Sequence, residues 1–304
     1  MLGGTQMINV NCSYNKLTNL NGAPNHVGGF NCSNNKLTNL NGSPNHVGGG
    51  FNCSNNKLTN LNGSPNHVGG VFICSYNKLT KLYGAPNYVG GYFNCSYNEL
   101  TDLNGSPNHV GGGFYCSYNE LTDLNGAPNH VGGGFNCYNN KLTNLVGAPN
   151  HVDEHFDCYN NKLTSLVGAP NHVDRHFDCY NNILTNLNGA PNYVGGYFNC
   201  SINNLIDLNG APNHVGSDFI CSNNPQLIDI SDLWNSNIDG IIFINLNSKI
   251  AVLPLIKFKI EVYNAEFFKI HNRNQGSTKQ NVIDFQIDLM QNGFEQNARW
   301  NPND

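Results

Sequence analysis

Charged residues are scarce in this chain. Aspartate, glutamate, lysine and arginine make up 12% of its 304 residues, and the formal net charge is −5. A protein that binds nucleic acid needs a basic stripe or patch to neutralise phosphates, and the sequence contains no such stripe. We therefore expect no nucleic-acid partner.

Long apolar runs are missing as well. No stretch approaches the roughly 20 apolar residues that a membrane-spanning helix requires. The N-terminus lacks the charged region and the apolar run that together make a signal peptide. The sequence thus predicts an intracellular protein without a membrane partner, in the host cytoplasm or in a virion if its source is viral.

Catalytic motifs are also lacking. The sequence has no phosphate-binding Walker loop, no Gly-x-Ser-x-Gly elbow and no zinc-binding motif, and no cysteine follows Cys221. We expect neither an enzyme nor a cofactor, and no metal site.

A regular repeat is what the sequence does contain. Neighbouring cysteines are 21 residues apart throughout, except for the 20 residues between Cys12 and Cys32. A period of this length predicts a solenoid, in which stacked units bury one shared core. Parallel strands in register would hold successive thiols about 4.8 Å apart with parallel side chains, which does not suit disulfides. We expect a column of buried, reduced cysteines.

The unit at residues 51–70 shows how one coil is built. Phe51 and Cys53 alternate with polar residues, which predicts a short strand with Phe and Cys turned inward. Asn56 follows the strand, where its amide can bond the backbone of its own turn and of the next coil. Gly69 and Gly70 would let the chain turn without a Cβ clash. Three further positions are expected to complete the apolar core: Leu58, Leu61 and Val68.

The pattern F-x-C-x-x-N-x-L-T-x-L, followed by G-x-P-x-x-V, resembles the short leucine-rich repeat. Similar arrays occur in bacterial effectors, large phages and giant viruses. The resemblance covers roughly residues 8–230 and includes eleven matching asparagines, from Asn15 to Asn224. It implies a mainly β solenoid with little helix on its convex side. This chain departs from the pattern in its Phe and Cys strand positions and in one extra Gly per coil.

Effectors of this kind often carry a ubiquitin-ligase domain with a catalytic cysteine after the repeats. That activity does not carry over, because roughly 80 residues remain and none is cysteine. We predict a solenoid of about eleven coils over residues 1–224 and a C-terminal α+β capping segment over 225–304. Residues 241–246 and 250–263 are predicted strands, residues 282–290 one helix, and Phe294 and Trp300 are expected to dock that helix.

Two further columns repeat along the array. Thr at nine positions, such as Thr59, resembles the threonine rows of ice-binding solenoids, which makes ice binding a remote alternative. A His or Tyr precedes each Val of the return segment, as at His67 and Tyr88, and is interpreted as a flat ring over that segment. We prefer this interpretation to a metal ladder, because no carboxylate keeps step with the column.

Candidate binding residues lie where the repeats stop being uniform. Outward strand positions are mostly Gly, Asn and Ser, but two neighbouring coils carry His, Asp and Tyr there, and a Tyr in the preceding coil extends the set. Side chains two apart on a strand share a face, so we expect one exposed patch. Stacked tyrosines favour a partner site, although local duplication of coils and a zinc site remain alternatives. The residues are Tyr138, His155, Asp157, Tyr159, His176, Asp178 and Tyr180.

Two functions remain open at this stage. The first is a non-catalytic interaction module or scaffold that binds a protein on its strand (concave) face. The second is a structural component of a virion or another assembly, with self-association through the uncapped N-terminal coil.

Overall fold

The computed structural model describes residues 7–246, 250, 252–262, 265–276 and 278–298. No helix within these ranges is long and apolar enough to cross a lipid bilayer. The chain divides into two compact units, Met1–Asp157 and Cys158–Asp304, and each is built from parallel-strand coils.

Each coil contributes one short strand to each of two parallel sheets. In the coil at residues 51–70, the strand Phe51–Asn52 belongs to one sheet and His67–Val68 to the other. We call these the phenylalanine sheet and the histidine sheet. Inward positions of this coil are fully buried, namely Phe51, Cys53, Leu58, Leu61 and Val68. The predicted parallel-strand solenoid, mainly β, is confirmed.

In the first unit, neighbouring strands pair in parallel and in register, so that Phe51 lies opposite Phe72. The two rings stack with their centroids 5.3 Å apart. The strands of its phenylalanine sheet are Asn9–Asn11, Gly29–Asn31, Phe51–Asn52, Phe72–Ile73, Phe93–Asn94, Phe114–Tyr115, Phe135–Asn136 and Phe156–Asp157. Those of its histidine sheet are His26–Val27, His46–Val47, His67–Val68, Tyr88–Val89, His109–Val110, His130–Val131 and His151–Val152.

The second unit continues the same pattern into the C-terminal segment. Ile241–Phe243 pairs in parallel with Phe219–Ile220 on one side and with Lys259–Glu261 on the other. The strands of its phenylalanine sheet are Phe177–Asp178, Phe198–Asn199, Phe219–Ile220, Ile241–Phe243 and Lys259–Glu261. Those of its histidine sheet are His172–Val173, Tyr193–Val194, His214–Val215 and Asn237–Ile238.

Asparagine at the predicted position links neighbouring coils. Nδ2 of Asn56 donates to the carbonyl oxygens of Cys53 in its own coil and of Cys32, each at 3.0 Å. Its Oδ1 accepts the N–H of Leu37 at 3.0 Å. The expected bonds to a neighbouring coil are therefore present, but they reach the preceding coil rather than the next one, because the turn points back along the stack.

Glycine is required at two points of the coil. Gly63 closes a turn with φ +86°, and a Cβ there would lie 2.6 Å from the carbonyl carbon of Leu40 in the preceding coil. At Gly69 a Cβ would overlap the carbonyl oxygen of Gly48. The prediction that glycine avoids a Cβ clash at this corner is confirmed.

The cysteines form a buried column. All except Cys12 are buried, and no disulfide joins any two of them within residues 12–221. The Cys116 thiol donates to the carbonyl oxygen of Asn136 at 3.3 Å, and Cys53 bonds Ile73 at 3.4 Å in the same way. Burial raises the pKa of both thiols, because a thiolate could not be solvated there.

Between residues 7 and 230 the structure contains strands and turns but no helix. Beyond them lie 3₁₀ helices at Ser231–Asn235 and Leu253–Lys257, helix α1 at Ala265–Asn274 and helix α2 at Lys279–Gln291. Thr278 begins α2 with a capping box formed with Asn281.

Two predictions for this segment are wrong. The stretch 250–263 is not one strand, because Pro254 lies in the first turn of the 3₁₀ helix Leu253–Lys257 and, among the described residues of the stretch, only Lys259–Glu261 form a strand. The segment also has two helices rather than one. α1 buries Phe267, Ile270, His271 and Asn274 at helical spacing, which the sequence analysis overlooked. Trp300 lies outside the described residues, and the domain boundary after residue 224 remains a prediction.

Candidate partner-binding surface

In the first unit, the structure places Tyr138, His155 and Asp157 at half-buried outward positions beside the phenylalanine sheet. The His155 ring lies 3.9 Å from both the Glu154 and Asp157 carboxylates, measured from Nδ1 and Nε2 respectively. The ring covers Gly134, where a Cβ would overlap it. His155 and Asp157 are thus brought together as predicted, and glycine in the preceding coil makes room for the imidazole.

In the second unit, Tyr159 and Tyr180 stack with their centroids 4.7 Å apart and their planes at 18°. His176 stacks on Tyr197 at 4.6 Å, a contact that the sequence analysis missed. Asp178 is only 8% exposed, so its predicted exposure is wrong. Its Oδ1 accepts the N–H of Tyr180 at 3.2 Å, which folds the carboxylate back onto the turn. That the other six predicted residues form one exposed surface remains a prediction.

A second aromatic column in the first unit was not predicted. Tyr76, Tyr97 and Tyr118 stack in sequence, with 4.2 Å between the centroids of each neighbouring pair. They are 50%, 39% and 41% exposed. Tyr138 meets Tyr118 edge to face at 5.6 Å, which joins one predicted residue to this column. We call Tyr76, Tyr97 and Tyr118 the tyrosine stack.

The backbone under the tyrosine stack is left-handed. Tyr76, Tyr97 and Tyr118 have φ of 55°, 57° and 54°. Asn tolerates this conformation because its short polar side chain bonds locally, whereas other L-residues are disfavoured there by about 1–2 kcal/mol. Most other coils do place Asn at this position: Asn34, Asn55, Asn139, Asn160, Asn181 and Asn223. The only sign of the tyrosine stack in the sequence is that its three coils read S-Y-N where others read S-N-N.

Polar groups surround the stack. Desolvation by the neighbouring rings, followed by hydrogen bonds with the Tyr76 and Tyr118 hydroxyls, raises the pKa of Tyr97. Glu99 is exposed two residues beyond Tyr97, and Glu120, two beyond Tyr118, forms an ion pair with Lys141. The stack therefore offers a flat aromatic surface edged by hydroxyl and carboxylate groups.

The histidine sheet carries an aromatic ladder of its own. His67 stacks on His46 at 5.1 Å and on Tyr88 at 4.7 Å, with planes within 6° of parallel. In some coils a carboxylate does accompany the column, as where Nε2 of His172 lies 2.8 Å from Oδ1 of Asp174. Among the residues that the structure describes, no three His, Cys, Asp or Glu side chains are grouped so that they could hold a metal ion. Thr59 is exposed outside both sheets.

The sequence matches no protein-family model and no curated protein. It is similar in structure to YopM, a leucine-rich effector protein from Yersinia pestis, with 20% identity and a TM-score of 0.46 over 80% of this chain and 75% of that one. YopM from Yersinia enterocolitica is 17% identical over 79% of this chain and 62% of that one, with a TM-score of 0.38.

A third similar structure is the functional domain of InlJ from Listeria monocytogenes, described as including a cysteine ladder. It is 22% identical over 81% of this chain and 61% of that one, with a TM-score of 0.49. The present chain thus spans little more than 60% of the length of two of these three proteins.

Proposed function

We propose that the chain is a non-catalytic interaction module, which binds a protein partner through aromatic side chains on the outer face and edge of its phenylalanine sheet. The tyrosine stack carries this proposal. Tyr has two side-chain torsions, so it supplies a large contact area with a small loss of entropy on binding. It is also among the residue types enriched in the energetic centres of protein interfaces.

A comparison of strain and stacking energies supports a role for the tyrosine stack beyond folding. Three left-handed tyrosines cost together about 3–6 kcal/mol relative to an unstrained residue. Two stacked pairs contribute about 0.5–1.5 kcal/mol each beyond the area that the rings bury, so the stacking geometry itself offsets only part of that strain. Asparagine, which the neighbouring coils use, would avoid most of it. Tyrosines that the fold does not need, at 39–50% exposure, are accounted for by a contact with another molecule.

Six of the seven residues predicted from the sequence belong to the same proposal, and the buried Asp178 is left out of it. Tyr138 touches the tyrosine stack, and Tyr159 and Tyr180 form a separate stacked pair. His155 and His176 add rings that can donate or accept hydrogen bonds beside these tyrosines. We include them as proposed partner contacts, each within its own unit.

The test is co-purification of the full chain from its native source, followed by binding measurements with the purified partner. We expect the combined variant Tyr76→Asn, Tyr97→Asn, Tyr118→Asn to bind at least tenfold more weakly than the parent. Tyr159→Ala with Tyr180→Ala should also weaken binding, with little change in melting temperature. The matched control is Tyr83→Asn, an exposed tyrosine outside the stack. Full binding by both tyrosine variants would refute the proposal.

A structural role in a virion or another assembly is the second candidate. The first described coil favours it, since Met7 and Ile8 are 48% and 61% exposed beside the strand Asn9–Asn11. Sedimentation of the purified chain separates the two functions. An obligate assembly that Ile8→Asn dissociates would support the structural role, and a stable monomer would favour the module.

A further inference from the structure

Four isoleucines are exposed in the second unit. Ile183, Ile202, Ile206 and Ile228 are 46%, 46%, 40% and 43% exposed. Ile206 and Ile228 are neighbours in adjacent coils, because the Ile228 N–H donates to the Ile206 carbonyl oxygen at 2.9 Å. We call these four residues the isoleucine patch. The corresponding positions of the preceding coil are polar: Lys162 for Ile183, Asn181 for Ile202 and Thr185 for Ile206. Ile228 aligns with Ile206, and Thr185 holds that position one coil further back.

Ile202 is unfavourable in two respects. Its φ is 53°, a conformation in which a β-branched residue is a true outlier. The same position in the adjacent coils is held by Asn181 and Asn223, at φ of 52° and 57°. An exposed, strained isoleucine therefore stands at a position that both adjacent coils fill with asparagine. Since neither folding nor solvation favours this choice, contact with another molecule is the remaining physical reason for it.

Carboxylates adjoin the isoleucine patch. Asp207 and Asp229 follow Ile206 and Ile228 directly, and the Asp229 N–H donates to the Ile206 carbonyl oxygen at 3.3 Å. Asp232 lies three residues further on, in the 3₁₀ helix Ser231–Asn235. Burial, followed by the charges of Asp229 and Asp207, raises the pKa of Asp232. Asp207 and Asp229 thus lie beside the two neighbouring isoleucines in adjacent coils, with Asp232 shortly after them in the chain, so together they favour a positively charged partner.

We infer that the isoleucine patch and Asp207, Asp229 and Asp232 form a second protein-docking surface, whose partner is an amphipathic basic segment. Aliphatic side chains of that segment would cover the isoleucines, and its Lys or Arg side chains would lie beside the aspartates. Charge complementarity selects a basic partner over an acidic one, which would meet three carboxylates of its own sign. This surface belongs to other coils than the tyrosine stack and differs from it in chemistry, so it goes beyond the proposed function.

The experiment uses the full chain and two synthetic helical peptides. One carries leucines along one face with lysines beside them, and the other has glutamate in place of each lysine. We expect fluorescence anisotropy to show at least tenfold tighter binding of the lysine peptide. Raising the salt concentration should weaken that binding, because the contribution of the aspartates is screened.

Variants that restore the repeat's own residues make the test specific. Ile206→Thr with Ile228→Thr matches Thr185, Asp207→Asn matches Asn186, and Ile202→Asn matches Asn181. All four changes combined should lower the affinity for the lysine peptide at least tenfold. Ile202→Asn alone should raise the melting temperature while it weakens binding, an outcome that a folding defect cannot produce.

The control variant is Val146→Asn with Val167→Asn, which removes two valines that are 48% and 52% exposed outside the patch. It should bind the lysine peptide like the parent, as should the tyrosine-stack variant. The inference is overturned if the lysine peptide does not bind or if the glutamate peptide binds equally well. It is also overturned if the variant with all four substitutions keeps its affinity for the lysine peptide. If the parent self-associates and the variant with all four substitutions does not, the patch binds a second copy of this chain. That result would also overturn the inference.

Discussion

The side-chain amide of Asn119 donates to the carbonyl oxygen of Cys95, one coil earlier, with 3.1 Å between Nδ2 and O. The same nitrogen donates to Cys116 in its own coil at 3.1 Å, and Oδ1 accepts the N–H of Leu100 at 3.0 Å. The side chain is 6% exposed, so water cannot replace these bonds. One asparagine in each coil therefore satisfies backbone groups that stacking would otherwise leave buried and unbonded.

Asn119→Ala should destabilise the chain strongly. The change leaves buried backbone groups of two coils without partners, at about 1–3 kcal/mol for each group. We expect a loss of about 3 kcal/mol or more in the free energy of unfolding, measured by urea denaturation. Asn108→Ala, at an exposed asparagine, is the control and should be nearly neutral. Equal effects of the two changes would contradict the ladder's structural role.

The buried thiols predict a loss of stability in alkali. Folded-state burial raises the pKa of the Cys53 thiol above its ordinary value of 9.0, and that of Cys221 to about 12. Below pH 9 the thiols are protonated in both states, so their contribution to stability is complete. Above it the unfolded thiols ionise and the folded ones do not, which costs about 1.4 kcal/mol per pH unit for each thiol.

The free energy of unfolding should accordingly fall steeply between pH 9 and pH 10.5. Alkylation should label all eleven thiols in denaturant and only slowly in the native state. A free energy of unfolding that stays constant up to pH 10.5, or native disulfides found by peptide mapping, would count against the buried column.

The buried side chain of His271 should make the protein less stable in acid. The residue is fully buried in α1, with its Nε2 2.9 Å from the Leu255 carbonyl oxygen, and burial lowers its pKa. The neutral form is therefore favoured in the folded state. Stability is complete above the ordinary pKa of about 6.5 and declines as the pH falls below it.

Hydrogen exchange of α1 and α2 between pH 7 and pH 5 measures this effect directly. We expect protection of these helices to fall with pH in the parent, but not in His271→Gln, which keeps a donor for Leu255 and does not titrate. The same pH dependence in both proteins would assign it to other groups.

Residues 225–304 should be needed to cover the end of the array. Truncation after Asn224 removes the strand Ile241–Phe243 that pairs with Phe219–Ile220. The backbone groups of Phe219–Ile220 that were hydrogen-bonded to it then have no partner. An open strand edge promotes association between chains. We expect the truncated protein to aggregate on size-exclusion chromatography, and a soluble product of equal melting temperature would refute the cap.

The repeat made most of the fold predictable from the sequence. One unit fixes the inward positions of Phe51, Cys53 and Val68, since each must pack on its copies in neighbouring coils. The C-terminal segment has no such repetition, and there an apolar run with Pro254 was misjudged as a strand. The direction of the bonds from Asn56 depended on the path of the turn, which spacing does not specify.

The candidate surface was predictable only in part. Departures from the repeat identified Tyr159 and Tyr180, which do stack. They did not identify the tyrosine stack, although three consecutive coils carry Tyr there, because the left-handed φ that makes this choice costly is not visible in a sequence. The burial of Asp178 was missed because the sequence pattern is the same whether the carboxylate accepts a hydrogen bond from its own turn or points into solvent.

The most direct test of the proposed function is the melting temperature of the chain in which Tyr76, Tyr97 and Tyr118 are all changed to Asn. If the tyrosine stack serves a partner rather than the fold, removing three left-handed tyrosines relieves more strain than the lost stacking contributes. The account then predicts a higher melting temperature than that of the parent, together with weaker partner binding. A clearly lower melting temperature would mean that the stack holds the coils together, and it would contradict the claim.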